Sequence, residues 1–171
     1  MPPPPLTIFE STSLPLVSGL SSPSSSSNGV SWKNIPSISS ITSNIFIGSD
    51  NFTEEDLKKN NITHIINISC KKDIEYNNIT SLFINLPDGD NPHNGKAIDD
   101  YFPLAIDFIQ NAIDNNGKVL VHCHMGISRS ATLVMAYIMN INKLPYEKVL
   151  LMVRNKRPII GPCFVFIWKL L

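Results

Sequence analysis

The chain has 171 residues, of which 43% are hydrophobic and 16% charged, and its 14 basic residues equal its 14 acidic ones. This composition is typical of a globular protein and argues against a chain that binds nucleic acid or membrane surfaces through its overall charge. Its cysteines, Cys70, Cys123 and Cys163, are odd in number and far apart. A disulfide framework is therefore not expected, and we predict a reducing compartment, the cytoplasm or the nucleus.

The first 31 residues form a low-complexity segment. They contain six prolines, a serine run at 24–27 and one charged residue, Glu10. Such a sequence has too little periodic apolar surface to offset the entropy cost of ordering, so we predict a disordered tail over 1–31. The proline run at 2–5 leaves a second interpretation open, a polyproline ligand for a partner's groove. The composition changes at Trp32, and a folded domain is predicted over 32–171.

Strands and helices alternate along this predicted domain. Runs of β-branched or apolar residues predict strands at 41–47, 62–68, 79–86 and 119–121. Capping signals and apolar residues at three- and four-residue spacing predict helices over 53–60, 99–115, 130–140, 145–155 and 162–171. The alternation predicts an α/β fold with a central, mostly parallel sheet flanked by helices, and a ligand site at the carboxyl end of a strand.

The candidate chemistry is concentrated at 122–130, between the predicted strand at 119–121 and the helix that follows. This segment reads His-Cys-His-Met-Gly-Ile-Ser-Arg-Ser, and it contains Cys123 and Arg129. A loop that curls at a helix start can direct its backbone N–H groups at a common centre, which makes an anion site. Cysteine is nucleophilic as the thiolate, a form that such N–H groups and a nearby cation favour. We therefore predict a site that binds and cleaves phosphate esters.

Each residue type in this loop has a physical reason. The planar fork of Arg129 can hold two phosphoryl oxygens, and Gly126 permits a tight turn close to a ligand. The hydroxyls of Ser128 and Ser130 can support the loop or the sulfur, and the His122 ring can orient the loop. No metal or other cofactor is predicted, because the amides and Arg129 already stabilise charge. The predicted phosphate-binding residues are His124, Met125, Gly126, Ile127, Ser128 and Arg129.

The pattern His-Cys-x-x-Gly-x-Ser-Arg-Ser resembles the signature loop of the cysteine-dependent protein tyrosine phosphatases, in the dual-specificity branch. The similarity covers about 38–171, with an opening strand at 45–48 and a closing segment at 157–162. The resemblance implies an atypical small member that hydrolyses phosphotyrosine and phosphoserine/threonine in phosphorylated proteins. It implies a phosphocysteine at Cys123, with Ser130 helping the sulfur depart. We expect a monomer with no nucleic-acid or membrane partner.

The proton donor must come from another loop, because a thiolate attacking a phosphate ester has to expel an alkoxide or phenoxide. In the family this acid lies between the preceding strand and the long helix, which here is the stretch 86–95. Aligning this stretch with the end of the family's strand favours Asp90 as the general acid, with Asp88 second. His93 is a weaker candidate.

Two alternative functions stay open at this point. A phosphoinositide phosphatase shares the loop, although such enzymes usually carry lysines at the variable positions, where this chain has His124, Met125 and Ile127. A phosphoprotein-binding module with little turnover would keep the pocket, although it usually loses the cysteine or the arginine, and Cys123 and Arg129 are both present.

Overall fold

The protein is described by a computed structural model that covers residues 35–89 and 96–171. The predicted tail over 1–31, Asp90 and His93 lie outside these residues. The strands are β1 Ile38–Ser40, β2 Ile45–Gly48, β3 His64–Ser69, β4 Thr80–Asn85 and β5 Val119–His122. The α-helices are α1 Glu54–Asn60, α2 Phe102–Asp114, α3 Arg129–Asn142, α4 Tyr146–Lys156 and α5 Phe164–Leu170.

The strands form one mixed sheet in the order β1-β2-β5-β3-β4. Only β1 and β2 pair antiparallel, whereas β5 pairs parallel with β2 and β3, and β3 pairs parallel with β4. The predicted α/β fold with a central, mostly parallel sheet is therefore confirmed. Because β5 is the middle strand, its carboxyl end brings the following loop to the centre of one sheet edge.

The central strand is apolar because it is covered on both faces. Val119 and Val121 belong to the larger core, which α2, α3, α4 and α5 complete from one side of the sheet. Leu120 points into a smaller cluster that contains Leu57 of α1. All four residues of β5 are buried. In the part of the chain that is described, no helix is both long and apolar enough to span a bilayer.

The predicted start of the first strand, at residue 41, is wrong. The structure has a hairpin there, with β1 ending at Ser40 and β2 beginning at Ile45. The hydroxyl of Thr42 accepts hydrogen bonds from the N–H groups of Asn44 and Ile45, at 3.3 and 3.1 Å. This side-chain contact stabilises a turn where the apolar alternation had indicated extended backbone.

The long helix predicted over 99–115 is composite. A 3-10 turn over Ile98–Tyr101 precedes α2, and Pro103 lies in the first turn of α2, where its missing N–H costs little. The helix is closed by Asn116 in a left-handed conformation (φ 58°) and by the Gly117 N–H, which donates to the carbonyl of Ala112 at 2.8 Å. The other predicted helices occur with ends shifted by one or two residues.

Candidate active site

The loop over 123–128, which we call the signature loop, connects the central strand directly to the first turn of α3. Cys123 is only 2% exposed, and its N–H donates to the carbonyl of Gly48 on the neighbouring strand at 3.4 Å. Ser128 is the N-cap residue of α3, but its side chain makes no cap hydrogen bond. The first-turn N–H groups of a helix have no intrahelical partner, so this end of α3 is left open to an anion.

Among the described residues, the sulfur of Cys123 has one hydrogen-bond partner. The Oγ of Ser130, a fully buried residue at the start of α3, lies 3.3 Å from Sγ. The structure thus brings together the predicted nucleophile and the serine predicted to assist it. All three cysteines are free, with Cys70 exposed and Cys163 partly buried.

Gly126 has to be glycine for two separate reasons. Its backbone is left-handed (φ 65°), a conformation that side chains rarely adopt. A Cβ added there would lie 2.4 Å from the carbonyl oxygen of Gly48 and 2.7 Å from Nη2 of Arg157. The signature loop is therefore packed against both the neighbouring strand and a buried arginine.

Arg129 is 7% exposed and is directed toward the segment that follows β4. Its Nη1 donates to the carbonyl of Leu86 at 3.0 Å, and its Nε lies 3.7 Å from Oδ2 of Asp88. Nε is buried and has no hydrogen-bond partner among residues 35–89 and 96–171. One edge of the guanidinium is therefore fixed, and Nε still has a donor available for a bound oxyanion.

Ser128 joins three parts of the site. Its hydroxyl donates to Oδ1 of Asp88 at 3.1 Å and accepts from the N–H of Cys163 at 3.2 Å. The N–H of Gly161 donates to the carbonyl of Ile127 at 3.1 Å, so the closing segment also touches the loop backbone. Asp88, the second candidate for the general acid, is therefore in direct contact with the signature loop. Asp90, the first candidate, is outside the described residues.

Each histidine of the loop region pairs with an aspartate that the sequence analysis did not identify. The buried His122 has Nε2 2.6 Å from Oδ2 of Asp73, and its ring packs edge-on against Phe52 at 4.9 Å. The exposed His124 has Nδ1 2.7 Å from Oδ2 of Asp50, across the mouth of the site. Neither contact has a local sequence signal, because 49 and 74 residues separate the partners.

Arg157 is a further residue of the site region that sequence reasoning missed. The resemblance to the family assigns it only to the start of the closing segment. It is 1% exposed and contacts the signature loop from behind. Nε donates to the carbonyl of Gly126 at 2.8 Å, and Nη2 donates to the carbonyl of Met125 at 3.2 Å. No local sequence signal marks it, because it ends the basic run at 154–157 and its partners on the signature loop lie 31 and 32 residues away.

Together, these contacts define a buried thiol at the end of a central parallel strand, beside a helix start and a hydroxyl, with two buried arginines that bond the adjoining segments. The dual specificity phosphatase catalytic domain family matches residues 45–171. The chain therefore belongs to the dual specificity phosphatase family.

Individual relatives agree with this assignment. Mouse dual specificity protein phosphatase 1 is 46% identical over 79 residues, which is 46% of this chain and 22% of that protein. The crystal structure of DUSP15 is similar with a TM-score of 0.71 and 32% identity, over 78% of this chain and 84% of that one. The crystal structure of the human tyrosine phosphatase-like serine/threonine/tyrosine-interacting protein is similar with a TM-score of 0.70 and 30% identity, over 78% of this chain and 92% of that one. The chain thus spans about a fifth of the length of the mouse relative.

Proposed function

We propose that this chain is a protein phosphatase that hydrolyses phosphotyrosine and phosphoserine/threonine through a phosphocysteine at Cys123. The observation that carries the proposal is the enclosure of Cys123 at the start of α3, with Ser130 Oγ 3.3 Å from its sulfur and Arg129 in the first position of the helix. Membership of the dual specificity phosphatase family supports it.

In the first step the Cys123 thiolate attacks phosphorus, an S–P bond forms, and the ester P–O bond breaks. A carboxylic acid gives its proton to the leaving oxygen, while the loop N–H groups and Arg129 bind the phosphoryl oxygens. In the second step the resulting carboxylate takes a proton from water, whose oxygen attacks phosphorus. The S–P bond then breaks, phosphate leaves, and the Ser130 hydroxyl donates to the departing sulfur.

Two carboxyl groups compete for the role of general acid. The sequence alignment favours Asp90, and the contacts of Asp88 with Ser128 and Arg129 favour Asp88. Both belong to the stretch that links β4 to α2. We keep Asp90 as the predicted acid, and the paired variants described in the Discussion distinguish the two.

The substrates belonging to this proposal are phosphorylated proteins that meet a monomeric enzyme in the cytoplasm or nucleus. The exposed side chains of Met125 and His124 at the loop favour a shallow, permissive entrance. No catalytic metal is part of the mechanism, since the amides, Arg129 and the acid account for each charge that develops.

The test is hydrolysis of an aryl phosphate and of phosphotyrosine and phosphothreonine peptides by the wild type and by Cys123→Ser. We expect kcat/KM to fall by at least about 10⁴-fold, because the nucleophile is lost. Cys70→Ser, which changes an exposed cysteine, is the matched control and should leave turnover unchanged. Equal rates for wild type and Cys123→Ser would refute the proposal. Tight phosphopeptide binding without turnover would support the phosphoprotein-binding module instead. Turnover confined to phosphoinositides would support the phosphoinositide phosphatase.

A further inference from the structure

We infer that Arg157 is a positioning residue of the signature loop, which sets the direction of its N–H groups and places a buried positive charge behind the phosphate site. This inference rests on the proposed function and adds a second arginine to it. All three nitrogens of the guanidinium are hydrogen-bonded: Nε and Nη2 donate to the signature loop, and Nη1 donates to β1 and to the residues just before it. The Nη1 acceptors are the carbonyl of Pro36 and the hydroxyl of Ser39, each at 2.9 Å.

The first step of the argument is peptide geometry. In a trans peptide unit the C=O and the N–H point in opposite directions. Arg157 holds the carbonyls of Met125 and Gly126, so the N–H groups of the same two peptide units, on Gly126 and Ile127, point away from it. Neither N–H donates a hydrogen bond within residues 35–89 and 96–171. They are therefore free donors that the arginine aims outward.

The second step concerns charge. The charged or titratable groups on the loop and on the elements that contact it are Cys123, Arg129 with Asp88, His122 with Asp73, His124 with Asp50, Cys163 of the closing segment, Arg154 on α4, and Arg157. Of the two buried arginines, Arg129 and Arg157, only Arg157 has no carboxylate oxygen within 4.0 Å in the described part of the chain. Burial lowers the pKa of Arg157, and the charge on Cys123 opposes that effect. An arginine nonetheless stays protonated in proteins, so its charge must be balanced locally.

The third step identifies what balances it. A buried cation without a carboxylate is stabilised by an anion on the other side of the loop, which here is the Cys123 thiolate in the free enzyme and the phosphoryl group in the complex. Arg157 therefore contributes to thiolate formation and to anion binding without touching the substrate. Arg129 acts on the open side of the site, and Arg157 acts through the backbone.

The experiment compares Arg157→Lys, Arg157→Gln and Arg157→Met with a matched control, Arg154→Gln. Arg154 lies one turn earlier on α4 and donates from Nε to the carbonyl of Ile160, at 3.0 Å, instead of to the signature loop. All variants carry Cys70→Ser and Cys163→Ser, so that iodoacetamide reports on Cys123 alone. The measurements are the pH dependence of alkylation, inhibition by tungstate, kcat/KM on an aryl phosphate and the melting temperature.

We expect the Gln and Met variants to shift the alkylation curve to higher pH, to weaken tungstate inhibition, and to lower kcat/KM by about 10²-fold, the loss typical of a misplaced site. The Lys variant keeps the charge but lacks the planar, fixed guanidinium. Its alkylation curve should therefore stay close to that of the wild type, whereas its kcat/KM should fall. Arg154→Gln should lower the melting temperature without moving the curve.

The inference is overturned if the Gln and Met variants melt at lower temperature but keep the wild-type alkylation curve and tungstate inhibition, since Arg157 would then be structural only. If the Met variant does not fold, the Lys and Gln variants decide by the same measurements. The reference is Cys70 alone, measured in a protein with Cys123→Ser and Cys163→Ser. If Cys123, in the background without Cys70 and Cys163, alkylates with the same pH dependence as this exposed Cys70, the proposed function is refuted instead. The two failures are therefore distinguishable.

Discussion

The site is made from two segments that are held in very different ways. The signature loop is fixed through its backbone, by Gly48 on the neighbouring strand, by Gly161 of the closing segment and by Arg157 behind it. The segment after β4 is held to the site by side chains, through Asp88 on Ser128 and through Arg129 on the carbonyl of Leu86. Each segment carries a glycine with positive φ, Gly126 and Gly89.

The two glycines show what the difference means. A Cβ on Gly126 would collide with backbone at 2.4 Å, whereas a Cβ on Gly89 would have no heavy atom of residues 35–89 and 96–171 within 4 Å. Packing therefore fixes the conformation of the signature loop, whereas a few polar contacts hold residues 86–89. Segments held by few contacts open at low free-energy cost, so we expect residues 86–89 to open more readily than the signature loop.

The largest effect should come from Gly126→Ala, which tests whether the enclosed loop tolerates any displacement. The new Cβ has to move the loop away from Gly48 or from Arg157, and several N–H donors would move with it. We expect kcat/KM on an aryl phosphate to fall by about 10³-fold, at least the loss caused by removing one oxyanion donor. Circular dichroism and the melting temperature check that the variant is folded.

Gly89→Ala is the matched control for Gly126→Ala. It imposes a positive-φ strain of similar order, about 1–2 kcal/mol, at a position where no described residue would meet the new Cβ. Its effect on kcat/KM should be far smaller than that of Gly126→Ala. Similar losses for the two variants would mean that backbone conformation alone matters, and that the enclosure of the signature loop does not.

The next effect in size is expected from removing the general acid. Asp90→Asn and Asp88→Asn each remove one candidate carboxyl, and the variant that loses the acid should lose kcat/KM by about 10²-fold or more. The loss should be larger for a phosphothreonine peptide than for an aryl phosphate, because an alkoxide is the poorer leaving group. We expect a bell-shaped pH profile of kcat/KM for the wild type, and the variant that loses the acid should lose the alkaline limb of this profile.

Ser128→Ala discriminates between the two acids without removing either. It deletes the hydroxyl that donates to Asp88 at 3.1 Å. If Asp88 is the acid, Ser128→Ala should reproduce part of the leaving-group dependence of Asp88→Asn. A rate that rises steadily through pH 8 in the wild type would count against both aspartates as proton donors.

Features with a local cause could be predicted from the sequence, whereas features that depend on distant partners could not. The strand–loop–helix arrangement at 119–130 was predictable because its cause is local: an apolar strand, a glycine and a helix start within twelve residues. The turn at 41–44 was missed because the Thr42 hydroxyl competes with extended backbone, which apolar alternation does not report. Arg157, Asp73 and Asp50 were missed because their partners lie 31 to 74 residues away in sequence.

The smallest effect on turnover should come from the cap of α1, whose hydrogen bonds among the described residues involve neither segment. Thr53 and Asp56 form a capping box there, in which the Thr53 hydroxyl accepts from the Asp56 N–H at 3.2 Å and Asp56 Oδ2 accepts from the Thr53 N–H at 2.9 Å. Thr53→Ala should lower the free energy of unfolding by about 1 kcal/mol and leave kcat/KM unchanged.

The pH dependence of that stability follows from Asp56. The Thr53 backbone N–H bonded to its carboxylate lowers the pKa of Asp56 in the folded state below its ordinary value of 3.8. The carboxylate therefore contributes stability above pH 3.8, and this contribution is lost as the pH falls through the lower, folded-state pKa. Urea unfolding of the wild type and of Asp56→Asn should differ most at neutral pH and converge in acid. A difference that stays constant down to acid pH would show that the carboxylate charge is not what stabilises the cap.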